Sequence, residues 1–154
     1  MAGRLIPLRN GLFDAIKKSR ETSQYVISAF TLTKSYFPRV GLEQLTSPRV
    51  VLAPLGYDIE RTSRARTKAI RDARIQVALQ AKVDPQADAL LDRLVELYEQ
   101  LMETAESDTL AEGFVWLRTE TLKDDNGQPY SFGQMRSSHT FESYFTAFYT
   151  RQEV

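Results

Sequence analysis

The stretch at positions 74–104, RIQVALQAKVDPQADALLDRLVELYEQLMET, contains the two clearest structural patterns in the sequence. Over 74–81, apolar residues alternate with Arg74, Gln76 and Gln80, which is the period of a half-buried strand. Asp84-Pro85 is typical of a helix start, an N-cap acid followed by proline at the first helical position. Leucines then recur with a 3.6-residue period to about Thr104. The stretch therefore predicts a strand followed by a long amphipathic helix.

Weaker patterns on either side complete the predicted element order. Leucine and isoleucine spacing predicts a short helix over 9–20, with Asn10 as its N-cap. Aromatic and β-branched enrichment predicts four more strands. Three of these cover 24–37, 114–122 and 138–150, and the fourth covers 49–55, after which Tyr57, Ile59 and Arg61 continue the pattern beyond a break at Gly56. The order α, β, β, β, α, β, β predicts an α+β fold: a single mixed or antiparallel sheet of four to five strands with two helices packed on one face.

Length and composition limit the class of protein. The 154 residues suit one domain spanning 1–154. A hydrophobic share of 42% and a charged share of 26% are ordinary for a globular domain. The sequence has no cysteine and one histidine, His139, which removes thiolate chemistry and most metal sites. No apolar run reaches membrane-spanning length, and the first residues lack a secretory signal, so we expect neither membrane insertion nor export.

Catalytic motifs are also missing from the sequence. It contains no phosphate-cradling glycine loop, no dinucleotide-binding fingerprint and no zinc-protease motif. A serine-protease-like triad would have to use His139, which is not preceded by a nucleophile elbow. The segment LKDDNG at 122–127 lacks both end ligands of a calcium loop, and Asn126-Gly127 instead predicts a tight turn within a turn-rich excursion at about 122–137. We therefore expect no enzymatic activity, no cofactor and no metal.

Charge is strongly segregated along the chain, although the net charge is zero. Residues 1–82 carry a balance of +9, and residues 83–112 carry −8. The basic charge is densest in a predicted loop at about 61–72, and the acidic charge lies on the long helix. Three interpretations of the basic tract stay open: a contact with the acidic helix of an adjacent subunit, a contact with nucleic-acid phosphates, or a solvated loop. No aromatic residue interleaves the tract, so the sequence gives no support for stacking on bases.

Several segments in this order resemble one protein family. They are KSYFP at 34–38, VVLAP at 50–54, Ser63-Arg64 in the basic loop, IQVALQ at 75–80, Asp84, and LLDRLVE at 90–96. Together they are similar to the tail terminator, or tail completion, proteins of long-tailed bacteriophages, over about residues 9–121. The resemblance implies a structural virion protein without catalytic residues.

Members of that family form a ring, usually a hexamer, that caps the tail tube, ends its polymerisation and joins it to the head connector. The resemblance thus implies a location at the head-proximal end or neck of the virion tail, after assembly in the host cytoplasm. Its partners would be further copies of this chain, the tail tube protein, a head-side connector or head-closure protein, and DNA passing through the lumen. Other neck proteins, such as head-closure or minor tail proteins, and a DNA-binding accessory protein remain alternatives.

A head-to-tail ring interface needs two different complementary patches on one subunit. The charge segregation supplies candidates for both. The predicted subunit-interface residues are Arg61, Arg64, Arg66, Lys68 and Arg71 on the basic side, and Asp88, Asp92, Glu96 and Glu99 on the acidic helix.

Overall fold

The computed structural model describes residues 5–36, 47–61, 69–82, 88–107, 114–121 and 140–151. It has two helices and five strands in the predicted order, and the α+β fold class is confirmed. The elements are α1 (Leu5–Glu21), β1 (Thr31–Lys34), β2 (Arg49–Arg61), β3 (Ala69–Lys82), α2 (Asp88–Ala105), β4 (Phe114–Thr121) and β5 (Thr140–Arg151).

The five strands form one mixed sheet in the order β1-β2-β3-β5-β4. β1 runs parallel to β2, and every other neighbouring pair is antiparallel. The alternating strand of the sequence, β3, lies at the centre between β2 and β5. This position follows from its pattern, because a central strand must bury one complete apolar face.

The core lies between one face of the sheet and both helices. Every third or fourth residue of each helix is fully buried there, and these residues pack with alternate residues of β2, β3 and β5. Burial of each such leucine contributes about 1.5–3 kcal/mol. The helix residues at the centre of the core are Leu8, Leu12, Ile16, Leu94, Leu97 and Leu101.

The opposite face of the sheet carries a smaller buried cluster of Val51, Ala78 and Tyr144. These residues alternate with core residues along β2, β3 and β5, so their side chains point away from the helices. We call this side the helix-free face, since both described helices pack on the other side of the sheet.

Helix α1 begins earlier than predicted, and Asn10 is not its N-cap. The helix is described from Leu5, and Pro7 lies in its first described turn, where a missing N–H is tolerated. Asn10 therefore lies inside the helix, where its side chain accepts hydrogen bonds from Arg9. At the other end, the amides of Ser23 and Gln24 donate to the carbonyls of Arg20 and Ser19, which is a Schellman cap.

The strand predicted over 24–37 is wrong for its first seven residues, since β1 spans only Thr31–Lys34. The preceding backbone is bonded by side chains of α2 instead of by a strand. The amide of Val26 donates to Gln100 Oε1 at 2.9 Å, and Arg93 Nη2 donates to the Val26 carbonyl at 2.8 Å. These bonds hold residues 24–30 against the helix, so the segment does not join the sheet.

Two β-bulges interrupt the ladders, one in β2 and one in β4. In β2 the extra residue is Leu55, and the following Gly56 takes a φ of 104°, which a residue with a side chain rarely adopts. The glycine lets the strand continue to Arg61, as the pattern beyond the predicted break indicated. In β4 the extra residue is Leu117. Both leucines are exposed, at 38% and 42%.

Other predicted boundaries shift or fall outside the described residues. β4 and β5 lie within two residues of their predicted limits. Helix α2 is described from Asp88, so the predicted start at Asp84 lies outside the described residues. The turn-rich excursion at 122–137 and His139 lie outside them too.

Candidate assembly surfaces

Strands β2 and β3 stay paired beyond the strands that flank them. β1 pairs with β2 only as far as Leu52, and β5 pairs with β3 only as far as Ala73. The β2–β3 ladder nevertheless continues from Asp58↔Asp72 to Arg61↔Ala69, about 10 Å further along the strands. Within the described residues this part is a two-stranded ribbon, which we call the arm (residues 58–61 and 69–72). A lone two-stranded ribbon is marginally stable in water, so such an arm is suited to contact with a partner.

The arm corrects the limits of the predicted basic loop at 61–72. Arg61 is the last residue of β2, and residues 69–72 belong to β3, so Arg71 lies in a strand opposite Ile59. Both strands extend into the basic tract because β2 and β3 stay paired as far as Arg61 and Ala69. The tract has no alternation of apolar residues, so its sequence did not predict strands there. Arg64, Arg66 and Lys68 lie outside the described residues.

The predicted acidic residues form one stripe on α2. Asp92, Glu96 and Glu99 are exposed, and Glu103, which the sequence reasoning did not select, continues the stripe. The spacings of three and four residues place all four on one side of the helix, opposite Leu94, Leu97 and Leu101. None of the four carboxylates has an ion pair or hydrogen bond within the described part of the chain. Asp88 is the first described residue of α2.

A row of three side chains crosses the helix-free face, where no site was predicted. The register aligns Arg74 of β3 with Phe148 of β5, and Phe148 with Arg118 of β4. The Arg118 guanidinium lies 3.9 Å from the centre of the Phe148 ring, within cation–π distance. Arg118 also pairs with Glu120 at 3.3 Å, and both side chains are over 40% exposed. We call Arg74, Phe148 and Arg118 the arginine row.

Arg74 has few of the partners that a guanidinium needs. Its Nη2 donates to the Leu55 carbonyl at a long 3.4 Å, and its buried Nε has no hydrogen-bond partner. A guanidinium carries five N–H donors in a fork that matches a carboxylate or phosphate. The β2 bulge holds Leu55 in place to accept that single bond, and Arg74 retains donors for an acidic partner.

The buried tyrosines support the fold and show no catalytic arrangement. Tyr98 donates to the Tyr144 carbonyl at 2.8 Å, and burial raises the pKa of Tyr98 to about 12. Tyr149 donates to the Ala105 carbonyl, and burial together with the charge of Glu106 raises its pKa further. Burial also raises the pKa of Tyr25, whose hydroxyl lies 2.6 Å from the Thr104 hydroxyl. All three stay neutral at physiological pH and link α2 to its surroundings.

A polar groove of about 440 Å³ lies between the C-terminal ends of α1 and α2. Its lining includes Lys18, Tyr25, Gln100, Glu103 and Thr104. Several polar groups of the lining already bond to one another, as the Tyr25–Thr104 pair and the bonds from Gln100 to the 24–30 segment illustrate. These bonds join the ends of the two helices.

The described residues form neither a metal-ion site nor a membrane-spanning helix. Over the described ranges, no three side chains of the His, Cys, Asp or Glu type come together in a way that could hold a metal ion. Neither helix described in the structure is long and apolar enough to cross a membrane.

The geometry thus defines a mixed-sheet α+β chain with a two-stranded arm and two charged surfaces, the acidic stripe and the arginine row. No protein-family model matches the sequence, and no curated protein matches it. Among solved structures, the fold is similar to a chain in the virion of a native gene transfer agent particle. That similarity covers 93% of this chain and 92% of the other, with a TM-score of 0.50 and 12% sequence identity. At this identity the likeness is one of fold.

Proposed function

We propose that this chain is a structural protein of a phage-type virion, without enzymatic activity. The observation that carries the proposal is the likeness of fold, over nearly the whole of both chains, to a component of a gene transfer agent virion. The sequence resemblance to tail terminator proteins points to the same class independently. The likeness of fold and the sequence resemblance both agree with the charged surfaces of the molecule, which are suited to assembly with other proteins.

Within that class, we propose that the chain closes into a ring, of six copies as the resemblance implies, at the head-proximal end of a tail. The ring caps the tail tube, ends its polymerisation and joins it to the head-side connector. The charge layout supports head-to-tail closure, because the acidic stripe of α2 and the basic tract at about 61–72 are different segments of opposite sign on one subunit.

The first test reverses charge in the basic tract. We expect Arg64→Glu with Arg66→Glu to block ring formation while the isolated domain still folds, because like charges would then face the acidic stripe. Mass photometry measures the oligomer, and circular dichroism checks the fold. The matched control is Lys17→Glu with Lys18→Glu, an equal change of charge on exposed residues of α1. Intact rings in the first variant would remove Arg64 and Arg66 from the interface.

A second test separates tail capping from another role in the neck, such as head closure. Purified tail tubes that continue to lengthen in the presence of the protein would contradict capping. Binding to connectors without binding to tube ends would favour the head-closure alternative. A DNA-binding role instead predicts affinity for duplex DNA that weakens steeply with added salt.

A further inference from the structure

We propose that the arginine row on the helix-free face is the docking site for the acidic stripe of α2 from a second copy of this chain. The inference rests on the proposed ring and adds a second basic surface for the same stripe, since Arg74 follows the arm by two residues along β3. In that arrangement each subunit presents α2 on one side of its sheet and receives the neighbour's α2 on the other side.

Charge complementarity supports this partner over others. The stripe of Asp92, Glu96, Glu99 and Glu103 carries four exposed carboxylates without partners in the described chain. On the opposite side of the sheet, within the described part of the chain, Arg74 makes a single long hydrogen bond and keeps a buried Nε without a partner. The stripe and Arg74 each lack what the other offers, and one chain contains both.

The spacing of the charges agrees as well. Arg74 and Arg118 are separated by two strand spacings through Phe148, about 10 Å. Glu96 and Glu103 are seven residues apart on α2, which is about 10.5 Å along the helix axis. A helix that crosses the strands can therefore place one carboxylate at each arginine.

The surroundings of the row favour a protein partner. The two bulges adjoin the row at its ends and add the exposed side chains of Leu55 and Leu117. Val95 and Met102, which are partly buried, run along one side of the acidic stripe. Apolar contacts beside the charge pairs are typical of a subunit interface, whereas a phosphate surface is more uniformly basic.

The existing Arg118–Glu120 ion pair does not prevent docking. Both of its side chains are largely exposed, and exposed pairs contribute little to stability. A carboxylate from the neighbour can share Arg118 with Glu120 or replace it. Stacking on Phe148 holds the guanidinium in place in either case.

The test uses two variants of the full chain. Variant one carries Arg74→Glu and Arg118→Glu, and variant two carries Glu96→Lys and Glu103→Lys. Either variant alone places like charges at every subunit interface. We therefore expect the protein concentration at which half of the chains are in rings to rise about tenfold. Mixed in equal amounts, the two should form rings again, since every interface of an alternating ring then joins opposite charges.

This recovery cannot come from misfolded protein, because a variant that fails to fold cannot enter a mixed ring. Arg74→Gln with Arg118→Gln is a milder variant for the same face and should weaken assembly without reversing charge. Lys17→Glu with Lys18→Glu is again the control and should assemble as the parent chain does. Mass photometry of each variant, and of the mixture, gives the result.

The contrary outcomes separate this inference from the proposed function. If the parent chain forms rings and each variant also forms them alone, the docking inference is wrong and the proposed ring is retained. If neither variant assembles and the mixture does not recover, the two surfaces are not partners. If variant one forms rings but loses affinity for duplex DNA, the row binds phosphate. A parent chain that never forms rings contradicts both proposals.

Discussion

Ser23 adopts a backbone conformation that suits glycine better than serine. Its φ of 57° is left-handed, and it occupies the C′ position of the cap that ends α1. We expect Ser23→Gly to stabilise the fold by about 0.5–1 kcal/mol, because relief of the side-chain strain exceeds the added freedom of the unfolded chain. Thermal unfolding measures the change.

The neighbouring Thr22 provides the control for this prediction. Its hydroxyl donates to the Lys18 carbonyl at 3.0 Å, and its φ is not positive. Thr22→Gly should therefore lower the melting temperature, whereas Ser23→Gly raises it. A fall in both variants would show that the left-handed turn is not a source of strain in Ser23.

Single residues also show where sequence reasoning reached its limit. The leucine spacing in α1 was sufficient to find the helix, but the choice of Asn10 as its cap failed since Pro7 is compatible with a first turn. Asp92, Glu96 and Glu99 of the acidic stripe were among the residues predicted from the acidic charge of the long helix, and Glu103 was missed. The arginine row was not predicted, because Arg74 and Arg118 lie 44 positions apart and meet through the register of β3, β5 and β4.

The segment at residues 24–30 shows how tertiary contacts override strand propensity. It is rich in the residue types that favour strands, yet its backbone is bonded by Gln100 and Arg93 of α2. Nothing in the local sequence reveals partners more than 60 positions away. β3 and α2 were predictable since their own apolar patterns match their burial.

Gln100 supplies a testable measure of that attachment. Its Oε1 accepts the Val26 amide at 2.9 Å, and its Nε2 donates to the Gln24 carbonyl at 3.3 Å. We expect Gln100→Ala to lower the free energy of unfolding by about 1–2 kcal/mol, because the Val26 amide loses its acceptor. Urea unfolding measures the change.

Two other variants calibrate the Gln100 result. Gln100→Glu keeps an acceptor for the Val26 amide but sets a carboxylate oxygen against the Gln24 carbonyl and a like charge beside Glu96 and Glu103, so it should also lower stability. Glu99→Ala removes an exposed neighbour in the acidic stripe and should leave the stability of the monomer unchanged. An unchanged stability in Gln100→Ala would mean that the 24–30 segment is held without Gln100, by the Arg93 bond and the burial of Tyr25, Ile27 and Phe30.

Considered as a whole, the molecule has charged surfaces on different sides of one sheet. Both helices cover one face, with the acidic stripe outermost, and the arginine row crosses the other face. The arm extends the central strands beyond their neighbours. Two different surfaces of opposite sign on one subunit favour a head-to-tail interface, which closes into a ring when its rotation divides a full turn.

The most direct test of that account is mass photometry of the purified parent chain over a concentration series, alone and with tail tubes, with negative-stain images of the same samples. We predict closed rings of about six copies, whose population grows with concentration or on tube ends. A monomer at every concentration, both with and without tubes, would contradict the ring and the tail-capping role.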